Sequence, residues 1–327
     1  TPKPSAAASD VYKRQQQLVG LRWPQDERQR IDNLIRNPEF QTYIQQKQFD
    51  QPLELSSPVN EDLVLEYRML QYGDDQHLLI VRDITQLKLL EQVRKDFVAN
   101  VSHELRTPLT VLQGYLEVMD ADNLPNAGIW QKAHTVMLEQ TKRMDALVQQ
   151  LLTLSRIEAA AKVQFEEHID VPAMLAMLEQ ESQTLNRDKQ HQISFSVDPD
   201  LVVSGIREEL RSAFSNLITN AIKYTPNGGQ IQVSWLRQHQ KAIFSVSDNG
   251  EGIAPQHVKR LTERFYRVDQ ARARATGGTG LGLAIVKHVL QRHNSKLMIF
   301  SEPKKGSSFS FSLPAESQPK RKAIQAR

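Results

Sequence analysis

Leu87, Leu90, Val93 and Phe97 recur at three- and four-residue steps, and Val101, Leu105, Leu109, Leu112 and Leu116 carry the same stripe onward. That period is one face of an amphipathic helix. Asp83 or Thr85 is its expected N-cap, and it should run to about Met119. Over Asp120 to Asn126 the Asp, Asn and Pro residues gather and the helix should stop. A second periodic helix follows, with Trp130, Met137, Met144, Leu147, Leu151, Leu154 and Ile157 in step. Two antiparallel helices cannot enclose a core by themselves. Pairing with a second copy gives a four-helix bundle, so a homodimer is expected; a hairpin packed on another domain is the alternative.

On either side the pattern changes. Residues 16–85 predict short helices broken at Pro24 and Pro38, then strands at Leu53 to Leu55, Leu63 to Leu70 and His77 to Arg82. After a polar hinge at Glu158 to Lys162, residues 161–315 predict helices at Val171 to Leu185, Glu208 to Tyr224, Gln256 to Leu261 and Gly280 to His293. Strands are expected between them at Gln192 to Val197, Gln230 to Trp235, Ala242 to Asp248, Lys296 to Ser301 and Ser308 to Leu313. This is a two-layer sandwich, with helices on one face of a mixed sheet. The chain is thus a multidomain α+β protein, with the helical hairpin at 86–160.

Composition narrows the function. A hydrophobic content of 39% with 24% charged residues is that of a globular protein, and a net charge of +3 is too small to argue for direct nucleic-acid binding. The absence of cysteine excludes disulfides and thiolate-held metals. No run of about 18 apolar residues is present. Residues 1–15 are expected to be disordered on their composition, and non-native because Asp10 to Gln15 read like a translated sequencing adapter on a truncated reading frame. The basic tail 316–327 is likewise expected to be disordered.

The chemistry centres on His103. It lies two residues from both Val101 and Leu105, about 200° around the axis from each, and so faces away from the stripe. A neutral imidazole has a nucleophilic nitrogen near pH 7, and Glu104 is placed to orient or deprotonate the other nitrogen. Pro108 lacks an N–H and is expected to bend the helix just past His103. A lone histidine of this kind is ordinarily just a surface residue. Here the whole run FVANVSHELRTPLT, Phe97 to Thr110, carries the argument.

Three further motifs lie in the second half. NLITNAIKYTP puts Asn216, Asn220 and Lys223 on one helix face. Carboxamide oxygens suit Mg²⁺ and an ammonium suits phosphate, although the spacing alone would also fit a solvated face. Asp248-Asn249-Gly250-Glu251-Gly252-Ile253 follows an apolar strand; its glycines allow a tight turn beside a planar ligand, and Asp248 can accept a hydrogen bond from an exocyclic amine. Gly277 and Gly278, followed by Thr279, Gly280, Leu281, Gly282 and Leu283, open a helix whose N-terminal amides favour phosphate. Neither a Walker A loop nor a dinucleotide-binding βαβ unit is present.

SHELRTPL resembles the H box of the sensor histidine kinases of two-component systems. The three later motifs resemble the N, G1 and G2 boxes of their Bergerat-type ATP-binding domain, shared with gyrase, Hsp90 and MutL, and Glu263-Arg264-Phe265-Tyr266-Arg267 resembles the F box. The resemblance implies ATP and Mg²⁺, with phosphorylation of His103, Asn220 on the metal, Asp248 on the adenine amine and Lys223 facing phosphate. It places Asn216, Tyr224, Gly250, Gly252, Ile253, Phe265 and the Gly278–Leu283 turn around the nucleotide. Val268 to Thr276 would be a mobile lid whose Arg272 and Arg274 contact phosphate. HELRT also resembles the HExxT pattern of bifunctional members, which implies that Thr107 helps position a dephosphorylating water.

The strands ending at Asp83-Ile84-Thr85 resemble the end of a PAS sensor domain lacking its first strands. RWPQD, HELRTPLTVLQGYLEVM and LTERFYRVD are similar to the branch of the family serving the phosphate regulon. That similarity implies an inner-membrane anchor missing from this chain, which would be the cytoplasmic portion. It also implies a response regulator with a phospho-accepting Asp, and a phosphate transporter with its accessory protein. Two rival functions stay open on the sequence: an ATPase in which His103 is incidental, and a regulator-binding scaffold without turnover.

Overall fold

The computed structural model describes residues 6–22, 24–47, 49–73, 76–119, 127–159, 167–268 and 278–317, with the backbone alone for 6–12, 127 and 317. The chain divides into two compact units, residues 1–99 and 100–327.

In the first unit, helices α1 (Ala6–Val19), α2 (Ile31–Leu34) and α3 (Pro38–Gln46) accompany a three-stranded antiparallel sheet of order β1-β2-β3. Its strands are β1 (Leu53–Ser56), β2 (Val64–Tyr72) and β3 (Gln76–Asp83). Proline at the first position and the Asn37 side chain start α3: Asn37 Oδ1 accepts from the amides of Glu39 at 2.8 Å and Phe40 at 3.2 Å. Phe40, Ile35, Val19, Leu55, Leu65 and Tyr67 form the core. One expectation is corrected here. Residues 1–15 are not irregular throughout, because the backbone is helical from Ala6, where three alanines and the later Gln run favour helix.

The first unit's sheet is tied to the next helix at its start. Asp83 Oδ1 accepts from the amide and hydroxyl of Thr85 at 3.0 and 2.7 Å, bonds that hold its carboxyl below the usual carboxylate range. The Val64 amide donates to Thr85 Oγ1 at 2.9 Å, and the Ile84 amide returns a bond to Val64 O at 2.9 Å.

Helix α4 (Thr85–Val118) begins there and contains Pro108, which is buried. The expected bend at this proline does not divide it: α4 is a single helix. Helix α5 (Ala127–Ala159) follows; the expected turn over 120–126 and the hinge residues 160–162 lie outside the described residues, and Glu158 is still helical. Beyond them, a five-stranded sheet of order β5-β7-β8-β10-β9 carries one parallel pair, β5 with β7. Its strands are β5 (Gln192–Val197), β7 (Gln230–Gln238), β8 (Lys241–Asp248), β9 (Met298–Glu302) and β10 (Gly306–Pro314).

Alternate residues of β7, β8 and β10 are buried, matching period-two patterning with one covered face. The cover is α6 (Val171–Leu185), α7 (Arg207–Tyr224) and α9 (Gly282–Arg292), with the short α8 (Pro255–Val258) beside β9. Phe214 of α7 lies at the centre, its ring centroid 4.5 Å from Phe244, 5.6 Å from Phe311 and 5.8 Å from Trp235. A small sheet of order β11-β6-β4 joins β4 (His168–Ile169), β6 (Leu201–Ser204) and β11 (Glu316–Ser317). The tail is therefore ordered as far as Ser317, because Glu316 and Ser317 pair with Val202 and Leu201. Residues 318–327 lie outside those described. The helix expected over Gln256 to Leu261 is shorter and shifted, since Pro255 supplies its first position.

Candidate active site

Helix α7 buries Leu210, Phe214, Leu217, Ile218 and Ile222 against the sheet, which turns Asn216, Asn220 and Lys223 towards the edge of that face. Asn216 is partly committed to the fold: its Nδ2 donates to Ser212 O at 2.8 Å. Its Oδ1 stands 2.6 Å from where a Cβ on Gly282 would be, so the glycine at the start of α9 makes room for this amide. Among the described residues the Asn220 carboxamide has no hydrogen-bond partner, which leaves its oxygen available to a hard cation. No cluster of three or more acidic or histidine side chains suited to a metal exists among the described residues. The carboxamide chemistry of Asn220 thus fits a Mg²⁺, which it would hold through that oxygen. Burial, and then the charge of Arg267, push the Lys223 ammonium below its usual value.

At the end of β8, Asp248 Oδ1 accepts from the Gly250 amide at 2.9 Å. Burial raises the Asp248 carboxyl, and the amides of Gly250 and Ser307 oppose that rise. Gly252, at φ 66°, turns the chain against Glu302, and the Ile253 amide donates to Ser301 Oγ at 2.8 Å.

The glycine turn completes the site. Gly280, at φ 74°, brings its backbone so close to Phe265 that an added Cβ would stand 2.7 Å from the Phe265 Cα, and the Phe265 amide donates to Gly280 O at 2.9 Å. Phe265 itself has φ 62°. A Cβ on Gly278 would stand 3.0 Å from the Tyr224 hydroxyl and 3.8 Å from Arg267 Nη2. Leu281 is fully buried, and Thr279 nearly so, while Leu283 is half-buried.

His103 is exposed on α4. Thr107 Oγ1 donates to the His103 carbonyl at 3.2 Å. Glu104 turns elsewhere: its Oε2 lies 3.3 Å from Arg143 Nη2 on α5, both side chains being largely buried. The carboxylate expected beside the imidazole is thus engaged by an arginine of the second helix.

The C-terminal part of α5 carries the sheet domain. Leu147, Leu154 and Ile157 are buried, and Glu158 accepts from Arg264 and lies 3.2 Å from His288 Nε2. Arg292 donates to Ile157 O at 3.3 Å and to Glu209 at 3.1 Å. Thr279 of the glycine turn donates to Gln150 of α5 and accepts from the Leu281 amide at 3.3 Å.

The structure gathers Asn216, Asn220, Lys223, Tyr224, Phe265 and the Gly278–Leu283 turn at neighbouring positions, with Asp248 to Ile253 at the end of β8. Arg272, Arg274 and residues 269–277 of the expected lid lie outside the described residues. Sequence reasoning passed over Arg267, whose Nε and Nη2 are shielded from solvent beside Lys223. Its signal was present in ERFYR but could not be separated from a surface charge without knowing which way the chain turns after Phe265.

The chain is similar to known proteins over most of its length. Residues 93–160 match the family described as His Kinase A (phospho-acceptor) domain, and residues 205–317 the family of histidine kinase-, DNA gyrase B- and HSP90-like ATPases. The chain is 50% identical over 293 residues to the phosphate regulon sensor protein PhoR of Pseudomonas aeruginosa, covering 89% of this chain and 66% of that protein. It is 42% identical to the protein of the same name from Haemophilus influenzae, covering 91% and 69%. The chain thus spans about two thirds of the length of these relatives. Among solved structures, Acinetobacter baumannii histidine kinase AdeS aligns with a TM-score of 0.52 at 25% identity, over 65% of this chain and 97% of that one. The fold is also shared with histidine kinase ThkA, solved in complex with response regulator protein TrrA, at a TM-score of 0.55 and 20% identity over 92% and 90% of the chains.

Proposed function

The chain belongs to the sensor histidine kinases, ATP-dependent protein-histidine kinases, and from that premise we propose that His103 takes the γ-phosphoryl group of ATP bound between α7, the end of β8 and the glycine turn. An imidazole nitrogen of His103 attacks phosphorus, the bond to the β-phosphate oxygen breaks, ADP leaves, and a ring proton is lost. Asn220 would hold a Mg²⁺ here, and that ion would supply charge neutralisation. Lys223 and Arg267 add positive charge on the same side, Asp248 reads the adenine amine, and Tyr224 lies over the turn at Gly278. Positioning and charge neutralisation carry most of such a transfer. The observation that bears most on this reading is that exposed His103 and the cation-lined glycine turn belong to one compact unit.

Glu104 acts through its pairing with Arg143, which fixes the carboxylate next to the reacting histidine. Thr107, one turn after His103, positions the water that returns the phosphorylated regulator to its resting state. The glycine turn touches Gln150, seven residues along α5 from Arg143, or about 10 Å of helical rise. Delivery to His103 therefore involves a shift of the ATP-binding domain along the helix pair.

Exposed apolar residues along the pair, among them Leu116 at 59% and Trp130 at 45%, support a second copy completing a four-helix bundle. The phosphoryl group then passes to an Asp of a response regulator. The names of the relatives favour phosphate-starvation signalling; a transporter accessory protein as the upstream contact belongs to the same proposal. Among the described residues no helix is long and apolar enough to cross a membrane.

The test is autophosphorylation with γ-phosphate-labelled ATP, comparing the wild type with His103→Ala and Asn220→Ala. Acid-labile, base-stable label should appear on the wild type and vanish from both variants. ATP hydrolysis with no label on the protein would refute the reading in favour of a plain ATPase.

A further inference from the structure

We infer that His257 and Arg260 are positioning residues for the nucleotide site, acting through the ring of Tyr266 on its neighbours Phe265 and Arg267; this rests on the ATP-site reading above. Phe265 occupies the left-handed region at φ 62°, where a bulky side chain is disfavoured unless its surroundings hold it there. One restraint is the amide bond from Phe265 to Gly280 O at 2.9 Å. The other comes through the next residue. The Tyr266 hydroxyl lies 2.6 Å from His257 Nδ1, with both side chains half-buried, and the Arg260 guanidinium sits 4.2 Å from the centre of the tyrosine ring. Arg260 is itself oriented by the Glu263 carboxylate, its Nε reaching the two oxygens at 3.3 and 3.2 Å.

Each contact restrains a different freedom of the same side chain. The hydroxyl bond fixes where the ring ends, and the cation over its face fixes how the ring is tilted. The Tyr266 amide donates to Glu263 O at 3.3 Å, so the backbone of 263–266 is closed into a turn around this anchored ring. What leaves the turn is Arg267, beside Lys223 and near Gly278. With Tyr266 released, Phe265 would lose one of the restraints on its disfavoured conformation, and the bond to Gly280 O would carry more of the strain. Arg267 and the Gly280 carbonyl contact would then both drift. None of the four residues His257, Arg260, Glu263 and Tyr266 needs to touch the nucleotide for this to work.

The experiment is steady-state autophosphorylation at varied MgATP for His257→Ala, Tyr266→Phe, the double variant and His257→Asn, with thermal midpoints for each. Each single change should raise KM for MgATP roughly five- to twentyfold with little change in midpoint. The double variant should be no worse than either single, because both delete one shared bond. His257→Asn, whose Oδ1 can stand where Nδ1 was, should restore most of the affinity. An unchanged KM in Tyr266→Phe would overturn the inference, as would parallel losses of KM, kcat and midpoint without rescue by asparagine. If His257→Ala fails to fold, Tyr266→Phe alone decides. Asn220→Ala is run alongside: full MgATP binding by that variant would refute the ATP-site reading itself, whereas its loss of binding with an unaffected Tyr266→Phe would refute only the positioning role.

Discussion

Gly280→Ala is the sharpest test of how the glycine turn is built. At φ 74° an alanine enters the left-handed region, which costs about 1–2 kcal/mol for a residue with a Cβ. The new methyl would stand 2.7 Å from the Cα of Phe265, a backbone atom that no rotamer change can move away. Forcing extra carbon into a packed contact adds roughly 1–3 kcal/mol. The sum, about 2–5 kcal/mol, falls on the segment that carries Phe265 and Arg267. Thermal unfolding and titration with a fluorescent ATP analogue in Mg²⁺ read the two consequences. The midpoint should fall by several degrees, and affinity should drop roughly tenfold or more. Gly114→Ala is the control: it lies inside α4, a Cβ there would meet nothing within 4 Å, and the helix should gain about 0.5–1 kcal/mol. A Gly280→Ala protein as stable and as tightly binding as wild type would refute the close approach of the two segments.

Other outcomes follow from the same geometry. Asp248→Ala removes the acceptor for the adenine amine, and calorimetry should show MgATP affinity falling by roughly tenfold. Because burial raises that carboxyl, wild-type affinity should decline on acidification sooner than an ordinary carboxylate would dictate, and a binding curve flat to the usual carboxylate range would count against the role. His293 is depressed by burial; its Nδ1 faces Val289 O at 2.8 Å, and its Nε2 accepts from the Ile206 amide at 3.1 Å. Its folded pKa lies below its unfolded value of about 6.5, so its contribution is complete above that pH and is lost as pH falls. His293→Ala should cost about 1–3 kcal/mol in urea unfolding by orphaning that amide, and should flatten the acid limb. Inserting two residues after Leu90 turns the rest of α4 by about 200° relative to what precedes it; the ratio of kinase to regulator-dephosphorylating activity should change, and an unaltered ratio would argue against rotational control.

Periodic segments were the readable part of this sequence. The stripe from Leu87 to Leu116 and the series ending at Ile157 correspond to α4 and α5, because thirty-odd residues of helix leave many repeats of one period. The strands β4, β6 and β11 went unseen, being two to four residues long and held by pairing with distant segments. Asn216 was picked out as a candidate from its helix face, but its division between Ser212 and the space over Gly282 depends on where α9 starts. Glu104 shows the same limit: its neighbour in sequence is His103, but its partner is Arg143, thirty-nine positions away. The disorder expected at the N-terminus followed from its overall composition, whereas its run of alanines favours helix.

The knot at Val64 has a mechanical consequence. Two bonds, one given and one received, clamp the first residue of β2 to Ile84 and Thr85, and Asp83 locks the threonine from the other side. Such a joint leaves no intervening loop between strand and helix. Torque applied to the strands passes into the shaft of α4 without being absorbed in a loose linker, and Thr85→Val, which cuts the hydroxyl out of the clamp, turns a rigid coupling into a slipping one.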